Sequence, residues 1–134
     1  GGVVFGPHPR SYKQHSPKKM RRLAIRCLLS EKATMGCLTV MDQLTMERPS
    51  TKKLKSILHN LSAGSSVLIA LEHMEQTVHR SARNLEKVRV APVSLLNVID
   101  LLNYDHLIVT QDAIQKAEAL WAHEPLRRKV EVTT

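Results

Sequence analysis

Val67-Leu68-Ile69-Ala70-Leu71 decides the fold: five consecutive apolar residues form a run too short for an ordinary helix, and as a strand it must be buried on both faces. Three similar runs, Leu38–Met41, Val88–Ala91 and Leu107–Val109, are also short and rich in β-branched residues. Helical patterns alternate with them at Thr51–Leu61, Glu75–Asn84, about Leu96–Asn103, and Gln111–Ala122; in the first of these Leu54, Ile57, Leu58 and Leu61 share one face. The βαβαβαβα order predicts an α/β fold with a small, mostly parallel sheet. Right-handed crossovers cover that sheet on both faces, giving a three-layer α/β/α sandwich.

The core must be built almost without aromatics, since Phe5, Tyr12, Tyr104 and Trp121 are the only ones in 134 residues. Leu, Ile, Val, Ala and Met fill it, and 43% hydrophobic residues suffice for one domain of this size. No apolar run approaches the ~18 residues of a membrane span, and no signal peptide is apparent. Cys27 and Cys37 lack any metal or redox spacing and are expected to be reduced, small, buried hydrophobes, as in a cytoplasmic protein.

Upstream of the alternating pattern, Met20, Leu23, Ala24, Cys27 and Leu28 recur at helical spacing and predict a core-facing stripe. Ser16 is the expected N-cap and Pro17 the first helical residue. Lys18, Lys19, Arg22 and Arg26 then project from roughly the opposite side, which Ile25 and Leu29 also share.

Charge is concentrated at this end. The formal net charge is +8, and residues 1–32 supply +7 of it, with eight basic side chains against Glu31 alone. Three domains of composition follow: an extended basic arm (1–16), a globular α/β domain (17–122) and a basic tail (123–134) that carries Arg127-Arg128-Lys129.

A solvated charged end is the bland reading of the arm, and three details favour nucleic acid. Lys18 and Lys19 occupy a first helical turn, where the helix dipole disfavours cations and a phosphate would reverse the penalty. Gly1, Gly2 and Gly6 permit close backbone approach, while Pro7 and Pro9 stiffen the path. Phe5, His8 and Tyr12 are planar groups able to stack on unpaired bases, interleaved with Arg10 and Lys13. With Lys18, Lys19, Arg21, Arg22 and Arg26, these residues form the candidate RNA-binding set, expected to be disordered until RNA surrounds the arm.

Catalytic chemistry finds less support. Asp42 and Glu72 fall at the carboxyl ends of two predicted strands, where α/β enzymes place acids, but such carboxylates also cap strand ends. The loop Asp42–Pro49 contains no glycine, so neither a dinucleotide fingerprint nor a phosphate loop is present there. Glu75 and His79 stand four apart without a third ligand nearby, and no metal or cofactor is expected.

The run Gly1-Gly2-Val3-Val4-Phe5-Gly6-Pro7-His8-Pro9-Arg10-Ser11-Tyr12, followed by Pro17-Lys18-Lys19-Met20-Arg21-Arg22-Leu23-Ala24, closely resembles bacterial-type large-subunit ribosomal protein four. Ser81-Ala82-Arg83-Asn84-Leu85, Asn97-Val98-Ile99-Asp100-Leu101-Leu102 and Asp105-His106-Leu107-Ile108-Val109-Thr110 extend the resemblance in order through the body. It implies a non-enzymatic structural protein that binds large-subunit ribosomal RNA beside neighbouring ribosomal proteins, in the cytoplasm, and supports early subunit assembly.

The resemblance also implies a long loop whose tip helps to line the peptide exit tunnel, with Gly1–Tyr12 as the limb returning from that tip. The family's upstream half and the loop tip are not in this chain, which opens inside a glycine-rich run and reads as part of a longer protein. Ile99 stands where the family often has an aromatic, and Pro125–Thr134 has no counterpart in it. Two alternatives stay open at this point: a regulator acting on messenger RNA, and a nucleotide-binding α/β enzyme.

Overall fold

The computed structural model describes residues 1–122. Its elements run α1 (Lys18–Thr34), β1 (Leu38–Met41), α2 (Thr51–Asn60), β2 (Val67–Leu71), α3 (Gln76–Ala82), β3 (Val88–Pro92), a 3-10 turn (Val93–Leu95), α4 (Val98–Asn103), β4 (His106–Thr110) and α5 (Gln111–Trp121). The helix predicted at about Leu96–Asn103 starts two residues later, because Asn97 is extended and its side chain caps α4 by accepting from Asp100 N at 2.7 Å.

The four strands form one parallel sheet in the order β1-β4-β2-β3. β2 and β4 are central, which is why β2 is an unbroken apolar run and β4 is apolar at Leu107–Val109, whereas the edge strands β1 and β3 admit Thr39 and Arg89 within them. Pro92 ends β3 at the sheet edge, where its missing N–H costs no ladder bond. β1 to β2 and β3 to β4 each skip one strand, in opposite directions. Right-handed connections therefore send α2 and α3 to one face and α4 to the other.

The core divides as that rule requires. Val67, Ile69 and Leu71 pack with Leu54 and Leu58 of α2 and Val78 of α3, while Leu68 and Ala70 pack with Ile25 of α1, Leu101 of α4 and Ala113 of α5. Buried polar groups tie elements together. Ser81 Oγ accepts from Ser50 N at 2.9 Å and donates to Thr77 O at 2.7 Å, joining the start of α2 to the last turn of α3. Asp100, 4% exposed, accepts from Arg89 at 2.6 Å and so links α4 to β3.

A second set of bonds gathers at the amino end of the sheet. Lys32 Nζ donates to the carbonyl oxygens of Tyr104 and Asp105, at 2.6 and 3.0 Å. Ser66 Oγ donates to Asp105 Oδ2 at 2.7 Å and accepts from Asp105 N at 2.9 Å, and Thr39 Oγ1 meets His106 Nε2 at 2.8 Å. The Ser66 bond holds the Asp105 carboxyl below its ordinary value of 3.8. Burial, then the Lys32 charge, hold His106 below its ordinary 6.5.

α1 and α2 end alike, with one difference. Cys37 N returns to Lys32 O and Gly36 N to Ala33 O, with Gly36 at φ +70. In α2, Ala63 N returns to Leu58 O and Ser62 N to His59 O, but the left-handed position is held by Ser62 at φ +50. A Cβ on Gly36 would meet nothing within 4 Å, so replacing it adds backbone strain alone.

Two outcomes follow for urea unfolding. Gly36→Ala lowers stability by about 1 kcal/mol, and Ser62→Gly raises it by about 0.5 kcal/mol; the same direction for both substitutions would contradict the helix-end geometry. Because His106 is less basic folded than unfolded, the unfolded chain binds the extra proton as pH falls through 6.5. Stability is therefore lower at about pH 5.5 than at about pH 7.5, and His106→Gln flattens the difference.

Candidate nucleic-acid interface

Gly1 to Pro17 forms no helix or strand, and apart from the half-buried Gly6 it is exposed throughout. Gly1, Gly2, Pro7, His8, Arg10 and Lys13 all lie along this open path, and Phe5 is 93% exposed. Exposed aromatics among cations are what base stacking requires. Arg10 and Tyr12 are already paired: Arg10 Nε donates to Tyr12 Oη at 2.8 Å, and the guanidinium carbon lies 4.9 Å from the ring centroid. A Cβ on Gly6 would stand 3.3 Å from Val3 Cγ1, so a larger residue would press on the arm's own turn.

The arm enters α1 through Pro17, which is the N-cap and not the first helical residue, with ψ 145. Ser16 caps nothing, so the expected hydroxyl cap is corrected. The amides of Met20 and Arg21 return to Pro17 O at 3.1 and 3.2 Å, no side chain caps the helix, and its first turn holds Lys18 and Lys19 with no acid. This end is electropositive from both its backbone and its side chains.

The face that α1 buries also differs from expectation. Met20 and Leu23 are 61% and 53% exposed, while Ile25 is buried and Leu28 and Leu29 are half-buried. The helix is turned by about 130° from the expected setting at 100° per residue. Its apolar residues surround it on nearly all sides, so periodicity offers two stripes, and the one that also brings Lys32 onto the loop before β4 is the one packed. Cys27 is exposed on the discarded stripe and Cys37 half-buried; both are free thiols, in place of the expected buried pair.

The turn regroups the cations. Lys18, Arg21 and Arg22 share the inward side of α1 with Ile25, and there they line a hollow of about 570 Å³ with Ser16, the Leu96–Ile99 segment and Trp121. Arg26 is set apart. Its Nε is buried with no hydrogen-bond partner among the described residues, against an apolar hollow of about 300 Å³ between α1 and α5. Lys32 is likewise committed to carbonyls of its own fold.

Asp42 and Glu72 do come together, at the carboxyl end of the sheet, around a hollow of about 180 Å³ shared with Glu75, Thr110 and Asp112. Lys116 Nζ donates to the backbone oxygen of Glu72 at 3.0 Å. Neighbouring carboxylates without a glycine loop repel a phosphate, so the site suits no nucleotide. Among the described residues no group of three His, Cys, Asp or Glu is placed to hold a metal ion, and no helix is long and apolar enough to cross a membrane. The tail cluster Arg127–Lys129 lies outside the described residues.

Asn97, Ile99 and Trp121 join the basic hollow without any local signal. They lie on segments far from the arm in sequence, and only the packing of α1 against α4 and α5 brings them to it.

Residues 1–120 match the sequence profile of the ribosomal protein L4/L1 family. Proteins called large ribosomal subunit protein uL4 are similar throughout: that of Lactobacillus acidophilus is 52% identical, and that of Lactobacillus johnsonii 48%, each over 91% of this chain and 58% of the relative. The protein of that name from Pelotomaculum thermopropionicum is 42% identical over 91% of this chain and 59% of its own length. The chain thus spans somewhat over half the length of the curated relatives it matches. With nine-tenths of its residues aligned and arm, helices and strands all inside the matched region, the chain belongs to the ribosomal protein L4/L1 family.

Proposed function

We propose that this chain is a structural, non-catalytic constituent of the large ribosomal subunit, in the cytoplasm, that binds large-subunit ribosomal RNA beside neighbouring ribosomal proteins and supports early subunit assembly. One observation carries the reading: residues 1–30 contain no acid, and their basic and aromatic side chains run from an open arm into an uncapped helix start. Phosphates answer both the lysine charges and the unpaired amides of that helix end. On this reading Gly1–Tyr12 is the returning limb of a loop whose tip helps to line the exit tunnel, as the resemblance implies. A messenger-RNA regulator would use the same basic tract, and the relatives' name as large-subunit proteins weighs for the ribosome.

Two cations of the basic tract are engaged by the fold itself. Lys32 is bonded internally and Arg26 is partly buried, which leaves Arg10, Lys13, Lys18, Lys19, Arg21 and Arg22. Six phosphate contacts give a slope of log K against log salt of about −4 to −5. Filter binding to large-subunit RNA should show that slope, and removing residues 1–16 should make it shallower by about 2. Equal binding to an unrelated structured RNA, unchanged without the arm, would refute the specific reading. Arg26→Met should leave the slope unaltered and raise stability, because it removes a buried, unpaired Nε.

A further inference from the structure

The hollow at the start of α1 has a composition that phosphate binding alone does not explain. Three cations, Lys18, Arg21 and Arg22, stand on its rim with no carboxylate among its lining residues. Its floor is apolar, with Ile25 and Leu96 buried beneath the exposed Ile99, and Trp121 forms part of the wall. Cations alone would bind a phosphate, and an apolar floor alone would bind a hydrophobe. Both together suit a group with a flat, weakly polar body and anions on either side, which is a nucleotide base within a strand.

We infer that this hollow holds one unstacked RNA base against Trp121 and Ile99, with the flanking phosphates on Lys18, Arg21 and Arg22. The inference rests on the RNA-binding reading above and adds a pocket to it. At about 570 Å³ the space is ample for one base, within the roughly 300–1,000 Å³ of small-ligand clefts. Asn97 supplies polarity at the edge: its Oδ1 is occupied by Asp100 N at 2.7 Å, which fixes the amide and leaves Nδ2 to donate to a base. Ser16, the last residue of the arm, also lines the hollow, so a strand tracking the arm arrives at its mouth. Paired bases of an A-form duplex cannot enter, because their faces are stacked and their major groove is too narrow for side chains.

Trp121 is the only tryptophan in the chain, so tryptophan fluorescence reports on the surroundings of this one residue. A labelled single-stranded RNA and the same strand annealed to its complement are titrated onto the chain, with anisotropy reporting binding and Trp121 emission reporting the pocket. The single strand should quench Trp121 strongly at saturation and the duplex should not. Trp121→Leu should weaken the single strand by about 5- to 100-fold, the worth of one stacked base, and leave the duplex unchanged. Since Trp121 also touches the core, Ile99→Glu serves as the second variant: Ile99 is 66% exposed, and a carboxylate there should weaken the single strand without lowering the melting temperature.

Saturation by anisotropy with unchanged Trp121 emission and unaltered affinity in both variants would overturn the pocket and leave RNA binding standing. Quenching by an acidic peptide as strong as by RNA would also overturn it, assigning the hollow to a protein partner. No anisotropy change with either RNA would overturn RNA binding itself, and the pocket with it.

Discussion

The rotation of α1 about its own axis is the constraint on which the interface depends, and Lys32 sets it. Its ammonium group bridges the carbonyl oxygens of Tyr104 and Asp105, at the loop that feeds the central strand β4. Asp105 is held in turn by Ser66, at the entrance to β2, and the neighbouring His106 by Thr39 of β1. One end of α1 is thereby locked to the entrances of three of the four strands. With Lys32 so placed, Ile25 points to the core, and Lys18, Arg21 and Arg22 continue along the same side to the hollow beside α4 and Trp121. The same side chain therefore stabilises the fold and aims the cations.

Much of the architecture was legible in residue order, for a physical reason. A parallel strand buried on both faces cannot hide a polar residue, so Val67–Leu71 and Leu107–Val109 declare themselves without reference to their neighbours. Strand order was not legible, since two skipping connections leave the same local pattern as two adjacent ones. Right-handedness then accounts for the helix layers once the order is known. α1 shows where local periodicity fails: with apolar residues on most of its circumference, tertiary bonds of Lys32 and the packing of Ile25 chose between two stripes of similar strength.

The site was legible as charge and composition but not as shape. Clustering of cations before residue 33 needs only counting, and the basic, aromatic arm is visible in the same way. Trp121, Asn97 and Ile99 carry no sign of their shared location, because three separate elements must pack before they meet. Arg26 illustrates the converse. As one more cation in a basic run it counts toward RNA, yet the helix setting turns it to the α5 side, where its Nε is desolvated. Composition fixes how many cations exist, and packing decides which of them a polyanion can reach.

The hollow at the carboxyl end of the sheet is lined by carboxylates, and this bears on what the scaffold can do. Parallel α/β sheets offer a ligand crevice at their carboxyl ends, but here Asp42, Glu72, Glu75 and Asp112 occupy it. A polyanion is repelled from that hollow, whereas the arm and the start of α1 carry the opposite charge. That surface is built at a cost to the free protein. Lysines in a first helical turn oppose the dipole by a few tenths of a kcal/mol each, and no side chain caps the amides beneath them. The first turn of α1 is thus the least satisfied part of the helix until an anion arrives. A phosphate there removes both penalties at once, so anion binding and the ordering of this turn are linked. The helix's missing cap and the proposed RNA partner then meet in one physical argument: an anion at this end completes the helix.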